Sequence, residues 1–252
     1  MNQGKYIFSQ IMELVSHKVF TACVNRYKGD YKSKHFSCWK QFLCMAFGQL
    51  THRESLSDTI LCLRANASKL YHLGIGQAIA KSTLSNANES RDSKIFSDVA
   101  MILIEEAKSL YLGESDLEVD LKNNVFAIDA TVIDVCLSAF SWAKFRTTKG
   151  GVKVHVQLDL KTAIPEFIQI TSASIHEVNI LDNITFQPDS FYVLDRGYTA
   201  FDKLYNIHKA KAFFIIRAKD NLNFSRVTSA KSKKRTGVLC DQTIRLNGFY
   251  AK

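Results

Sequence analysis

Along the first 110 residues the apolar positions recur in steps of three and four, as in Phe42, Ala46 and Leu50, and proline is absent. That spacing puts the apolar side chains on one face of a helix, so this stretch predicts a bundle of amphipathic helices. Thr51-His52-Arg53-Glu54 has the form of a capping box and predicts a helix over Ser55–Arg64. A second helix start is expected near Ser82, and Leu73-Gly74-Ile75-Gly76-Gln77 supplies a glycine turn before it. Ala67–Leu73, this turn and Ser82–Ser90 are therefore expected to form a helix-turn-helix-like unit, a candidate DNA-contacting element.

Beyond an acidic stretch (Glu114, Asp116, Glu118, Asp120) the period changes to two. Val125–Ile133 is rich in β-branched residues, and Val152–Leu158 alternates apolar with polar like a half-buried strand with Lys153 and His155 turned to solvent. A turn at Asp159–Thr162 leads into Ile164–Ile170, with Pro165 near the strand start where it is tolerated. His176–Ile184 reads as a helix, Ser190–Leu194 as a strand, Phe201–Ala210 as a helix and Ala212–Arg217 as a fifth strand. Val238–Leu246 reads as a further strand. The expectation is an α/β chain, with an all-α domain over 1–120 followed by a mixed sheet with flanking helices over 121–252.

Charge sharpens the division. The net charge of the whole chain is +9, of which residues 121–252 carry +8 and residues 1–120 only +1. A positive field of that kind favours polyanionic partners and is expected to act from the second half. No run approaches the roughly 20 apolar residues of a membrane helix, and Glu13 interrupts the first apolar stretch, so a cytoplasmic protein with no membrane partner is expected. The six cysteines (Cys23, Cys38, Cys44, Cys62, Cys136, Cys240) form no C-x-x-C pair. His35, Cys38, Cys44 and His52 could be assembled into a zinc set, but Cys38 and Cys44 lie on a helical apolar pattern that favours buried thiols.

Two carboxylates stand out from the solvated majority. Asp129 lies within, and Asp195 directly after, a run of β-branched and aromatic residues, where an unpaired carboxylate is costly to desolvate. Side by side at one sheet edge they would repel unless a divalent cation sat between them. The plainer alternative is structural: Asp195 paired with Arg196 or Lys219, and Asp129 bonded to Thr131. Asp134, five residues along the same strand, is expected to point to the opposite face from Asp129.

Four segments then carry a resemblance: Phe126-Ala-Ile-Asp129 through Trp142 to Arg146, Gly151-Val-Lys153-Val-His155, Tyr192-Val-Leu-Asp195-Arg-Gly-Tyr198, and Phe214-Ile-Ile-Arg217-Ala-Lys219. In order and spacing they resemble the DDE transposases of the insertion sequence four family, and Ser82–Asn88 is similar to the helical domain that precedes the catalytic domain in one branch of it. Ala130 stands where that family usually has Ser. The resemblance implies an RNase H-like core in which Asp129 and Asp195 are catalytic and metal-binding. It also implies two Mg²⁺ ions that assist DNA cleavage and strand transfer. Lys153, His155, Arg196, Arg217 and Lys219 are then candidates to hold DNA phosphates.

The family completes its site with a Glu in a later helix, after an inserted β-region. The last Glu of this sequence is Glu177, and only Asp202, Asp220 and Asp241 follow Asp195. The expectation is a transposase core truncated within the β insertion, inactive alone, with DNA (transposon ends and target) as partner and the nucleoid as its place when bound. A homo-oligomer, or a mixed oligomer with intact transposase, is the expected assembly. The alternative is a non-catalytic DNA-binding regulator of transposition; an unrelated two-aspartate nuclease would leave the four segments unexplained. Lys231–Arg235, with four cations in five residues, suits a DNA-backbone contact, a localisation signal or, more simply, a solvated loop beside the insertion.

Overall fold

The computed structural model describes residues 5–111, 121–135, 150–230 and 237–247. The chain divides into two compact units, Met1–Glu106 and Ala107–Lys252. The division falls inside a helix, ahead of the 120/121 boundary expected from the change of period. Cys136, the Trp142–Arg146 part of the first motif and the Lys231–Arg235 cluster lie outside the described residues.

The first unit is helical: α1 (Ile7–Met12), α2 (His17–Arg26), α3 (Cys38–Leu50), α4 (Leu56–Ala65), α5 (Lys81–Ser90) and α6 (Lys94–Leu110). Its apolar side chains form two clusters. One gathers Leu43, Cys44, Phe47, Ile60, Leu63, Leu70, Ile75 and Leu84, and the other Phe20, Cys23, Val24, Cys38, Ile95 and Val99. On α3 the buried stripe runs through Leu43, Cys44 and Phe47, while Leu50 is exposed. Burial pushes the Cys38 and Cys44 thiols up to about 12, so both stay protonated. The capping box is not used as expected. Thr51 ends α3, its hydroxyl donating to the Phe47 carbonyl at 2.7 Å, and Ser55 caps α4 by accepting from the Asp58 amide at 3.1 Å. Of the helix-turn-helix-like unit, α5 forms, whereas Ala67–Lys69 is a single 3-10 turn.

The second unit is built on a mixed sheet of β1 (Val125–Val135), β2 (Gly150–Asp159), β3 (Pro165–Ser172), β4 (Phe191–Leu194) and β5 (Phe213–Ile216), in the order β3-β2-β1-β4-β5. The β1/β2 and β2/β3 pairs are antiparallel, and the β1/β4 and β4/β5 pairs parallel. A 3-10 helix, Glu177–Asn183, lies where the sequence predicts an α-helix, and α7 (Phe201–Lys209) connects β4 to β5. Phe126, Ile128, Tyr192 and Leu194 pack with Ile180, Leu181, Tyr198, Leu204 and Ile207 into one core. Ile133, Ile168, Ile170, Phe213 and Ile215 belong to the other face and are exposed. A separate hairpin pairs β6 (Phe224–Ala230) with β7 (Asp241–Leu246), so the strand expected over 238–246 begins at Asp241. No described helix is long and apolar enough to cross a membrane.

Candidate active site

Strand register brings the two expected aspartates together. Ile128 pairs with Leu194 across the parallel β1/β4 ladder, so Asp129 and Asp195 are the next residues on neighbouring strands. Both are exposed. The desolvation cost that singled them out in the sequence is therefore absent from the fold, and their juxtaposition rests on register alone. Ile216 pairs with Leu194 in the same way, so Arg217 follows β5 beside Asp195. Arg196, Arg217 and Lys219 are all exposed, as a phosphate contact requires. Asp134 pairs with Gly151 and Asp129 with Val156, which puts Asp134 on the opposite face, as expected.

Lys153 and His155 are placed differently from expectation. The buried row of β2 is Gly151, Lys153, His155 and Gln157, while the intervening valines are only half-buried. Each polar side chain in that row has a partner, although the second ring nitrogen of His155, Nδ1, has none. The Lys153 ammonium donates to the Ile175 carbonyl at 3.0 Å and stands 3.2 Å from Glu177 Oε1. His155 Nε2 shares a 2.9 Å hydrogen bond with Thr171 Oγ1, and the Gln157 amide donates to Glu166 Oε2 at 3.3 Å. Burial foremost, then the Lys153 charge, lowers the His155 pKa below its ordinary value, so the ring stays neutral. Both side chains serve the interior, with Lys153 8% and His155 1% exposed, and neither is available to a DNA phosphate.

Two residues of the same region were missed by sequence reasoning. Tyr198 is fully buried and its hydroxyl has no hydrogen-bond partner. Burial raises its pKa, and the carboxylates of Glu177, Asp129 and Asp195 raise it further, so the phenol remains protonated beside the acidic edge. Glu177 reaches this edge from the opening of the 3-10 helix that follows β3. No local signal marks it, because its partner Lys153 is far away in sequence and on another strand.

Among the described residues, no three His, Cys, Asp or Glu side chains stand close enough to hold a metal ion as they lie. Two adjacent exposed carboxylates nonetheless suit Mg²⁺, which takes oxygen ligands, keeps several waters and needs only one or two protein carboxylates.

Residues 120–249 match the family described as Transposase DDE domain, and residues 3–76 match a domain of unknown function, DUF4372. A putative transposase, y4zB, of Sinorhizobium fredii is 28% identical over 169 residues, covering 65% of this chain and 45% of that one. A putative transposase for insertion sequence element IS4SA of Synechocystis is 25% identical over 167 residues, 64% of this chain and 46% of its own length. The chain thus spans under half the length of either relative. Among solved structures, the piggyBac transposase synaptic complex with hairpin DNA aligns over 88% of this chain and 53% of that one, with 10% identity and a TM-score of 0.40.

Proposed function

Since this chain belongs to the Transposase DDE domain family, its match covering residues 120–249, we propose that its second unit is the DNA-handling core of an insertion-sequence transposase. The observation that carries the reading is the register that sets Asp129 beside Asp195 at the end of β4. In this reading the two carboxylates hold a divalent cation, Mg²⁺ in the cell. When bound, it polarises a phosphodiester and neutralises the charge that develops during cleavage and strand transfer. Arg196, Arg217 and Lys219 hold the DNA backbone against the same edge, a contact that positions DNA without reading its sequence. Tyr198, uncharged, offers its hydroxyl from the buried side. The first unit (residues 1–120 in the sequence division) is a second DNA-contacting body, with the polar, exposed face of α5 as its candidate surface. Assembly is a homo-oligomer, or a mixed oligomer with full-length transposase.

In this reading Asp129 and Asp195 act as two of the acids of a DDE site, and the 252 residues assayed by themselves are expected to bind DNA and cation without strand transfer. Fluorescence anisotropy with a labelled duplex carrying the element's terminal repeat tests the binding. Affinity should fall with salt at a log-log slope of about −0.9 per phosphate neutralised, and the Arg196→Ala/Arg217→Ala/Lys219→Ala variant should flatten that slope by up to about 3. A slope unchanged in the triple variant would remove these residues from the DNA contact. Cleavage of supercoiled donor DNA in Mg²⁺ by these 252 residues, lost in Asp129→Ala, would overturn the claim that they are inactive alone.

A further inference from the structure

Glu177 has a place in the site that neither the family resemblance nor the aspartate register assigns. Its Oε1 faces the ammonium of Lys153 at 3.2 Å, and the Lys153 side chain is only 11% exposed. A lysine so placed needs acceptors for its ammonium, because an ammonium left without them there would carry a large desolvation cost, and Glu177 supplies one. The Ile175 carbonyl, two residues before Glu177, takes a further bond from the same ammonium at 3.0 Å. Lys153 therefore fixes both the backbone and the side chain at the start of the 3-10 helix.

The other oxygen of Glu177 meets the second aspartate's turn. Gly197 lies in the single 3-10 turn Arg196–Tyr198, which Asp195 opens. A Cβ built on Gly197 would stand 3.0 Å from Glu177 Oε2 and 4.0 Å from Asp195 Oδ2. Glu177 and Asp195 thus flank the same α-carbon: a methyl group there would make the Glu177 carboxylate give by a few tenths of an ångström, while Asp195 would be in ordinary contact with it. With Tyr198 completely buried beneath, the turn is gripped on two sides.

We propose that Glu177, clamped by Lys153, is a positioning residue for Asp195, holding the Arg196–Tyr198 turn so that the Asp195 carboxylate stands beside Asp129. The inference rests on the reading of Asp129 and Asp195 as cation ligands. In this proposal Glu177 acts through Asp195 and not as a ligand, one of its oxygens being engaged by Lys153. Lys153 also offsets its charge, so a third carboxylate near the pair adds little repulsion to it.

The test is Mn²⁺ binding to the full 252-residue chain, followed by the electron paramagnetic resonance signal of free Mn²⁺, with circular dichroism confirming the fold of each variant. Glu177→Ala should weaken binding by about tenfold or more, the usual loss when an outer partner of a metal ligand is removed. Glu177→Gln keeps the shape and can still accept from Lys153, so it should retain wild-type affinity. Wild-type affinity in Glu177→Ala overturns the proposal, as does a loss in Glu177→Gln equal to that in Glu177→Ala, which would make the charge rather than the placement matter. Should Glu177→Ala fail to fold, Gly197→Ala probes the same contact from the other side. It should weaken binding with the fold intact, and unchanged affinity counts against the proposal. Asp129→Asn and Asp195→Asn test the underlying reading separately: if neither lowers Mn²⁺ affinity, the cation site itself is misplaced.

Discussion

Tyr198→Phe is the sharpest probe of the acidic edge, because stability and ligand binding should move in opposite directions. The hydroxyl is fully buried without a partner, and burying an unpaired hydroxyl costs about 1–3 kcal/mol by protein mutational data. Phenylalanine keeps the ring against Ile207 and Leu204 in the same core and removes only the unpaired group. Part of the cost should therefore be recovered, a stabilisation of about 1 kcal/mol. For a chain of this size that raises the melting temperature by about 2–4 °C. In urea the midpoint should rise with an unchanged slope, the signature of a stability change without a change in the exposed surface. On the proposed reading, the waters of a bound cation give the hydroxyl an acceptor. The added stability conferred by Mn²⁺ should then be smaller in Tyr198→Phe than in wild type. A variant destabilised by about 1 kcal/mol or more in metal-free buffer would refute the reasoning, since it would mean that the hydroxyl already has a partner in the folded chain.

Two further outcomes follow from single residues. The His155 pKa is lowered in the folded state, chiefly by burial, so the unfolded chain binds the proton more readily. Stability contributed by the neutral ring is present above the unfolded pKa of about 6.5 and declines as pH falls through it, by at most about 1.4 kcal/mol per pH unit. Urea unfolding at pH 7.5, 6 and 5 should show this slope reduced in His155→Gln, and an equal slope in both chains would assign the acid sensitivity elsewhere. At the start of α4, Ser55→Ala should cost about 1 kcal/mol. Glu54→Gln should stay within about 0.5 kcal/mol, as the cap is Ser55 and not the Thr51–Glu54 box; equal losses measured by thermal unfolding would restore the box.

The parts of the fold that were legible are those set by local pattern. The change of period near residue 120 separates helices from strands, and strings such as Phe191–Leu194 and Phe213–Ile216 announce themselves by β-branched and aromatic content. The cap was misread because Thr51 satisfies two rules at once: a hydroxyl can open the next helix or bond back to the carbonyl four residues earlier, and here the second wins. His176–Ile184 reads as a helix in the sequence, and the helix that forms over Glu177–Asn183 is a short 3-10 one that buries Ile180 and Leu181.

The misplacement of Lys153 and His155 has a more general cause, and it bears on how the site is built. Alternation along a strand separates two faces but does not say which one is covered. Hydrophobicity decides that question only when the covered face is the apolar one. In β2 the half-buried face carries Val152, Val154 and Val156, and the buried face carries Lys153, His155 and Gln157. The inversion is tolerable because each side chain of the polar row finds a partner, Glu177 and the Ile175 carbonyl for Lys153, Thr171 for His155 Nε2 and Glu166 for Gln157, with His155 Nδ1 alone in that row left unpaired. Those partners lie on β3 or on the connection that leaves it, so the polar row ties β2 to the segment that supplies Glu177. Replacing Lys153 with an apolar residue would leave the Glu177 carboxylate without its counter-charge next to Asp195 and Asp129. On this reasoning, the row that looks wrong for stability is what keeps the third carboxylate from disturbing the other two.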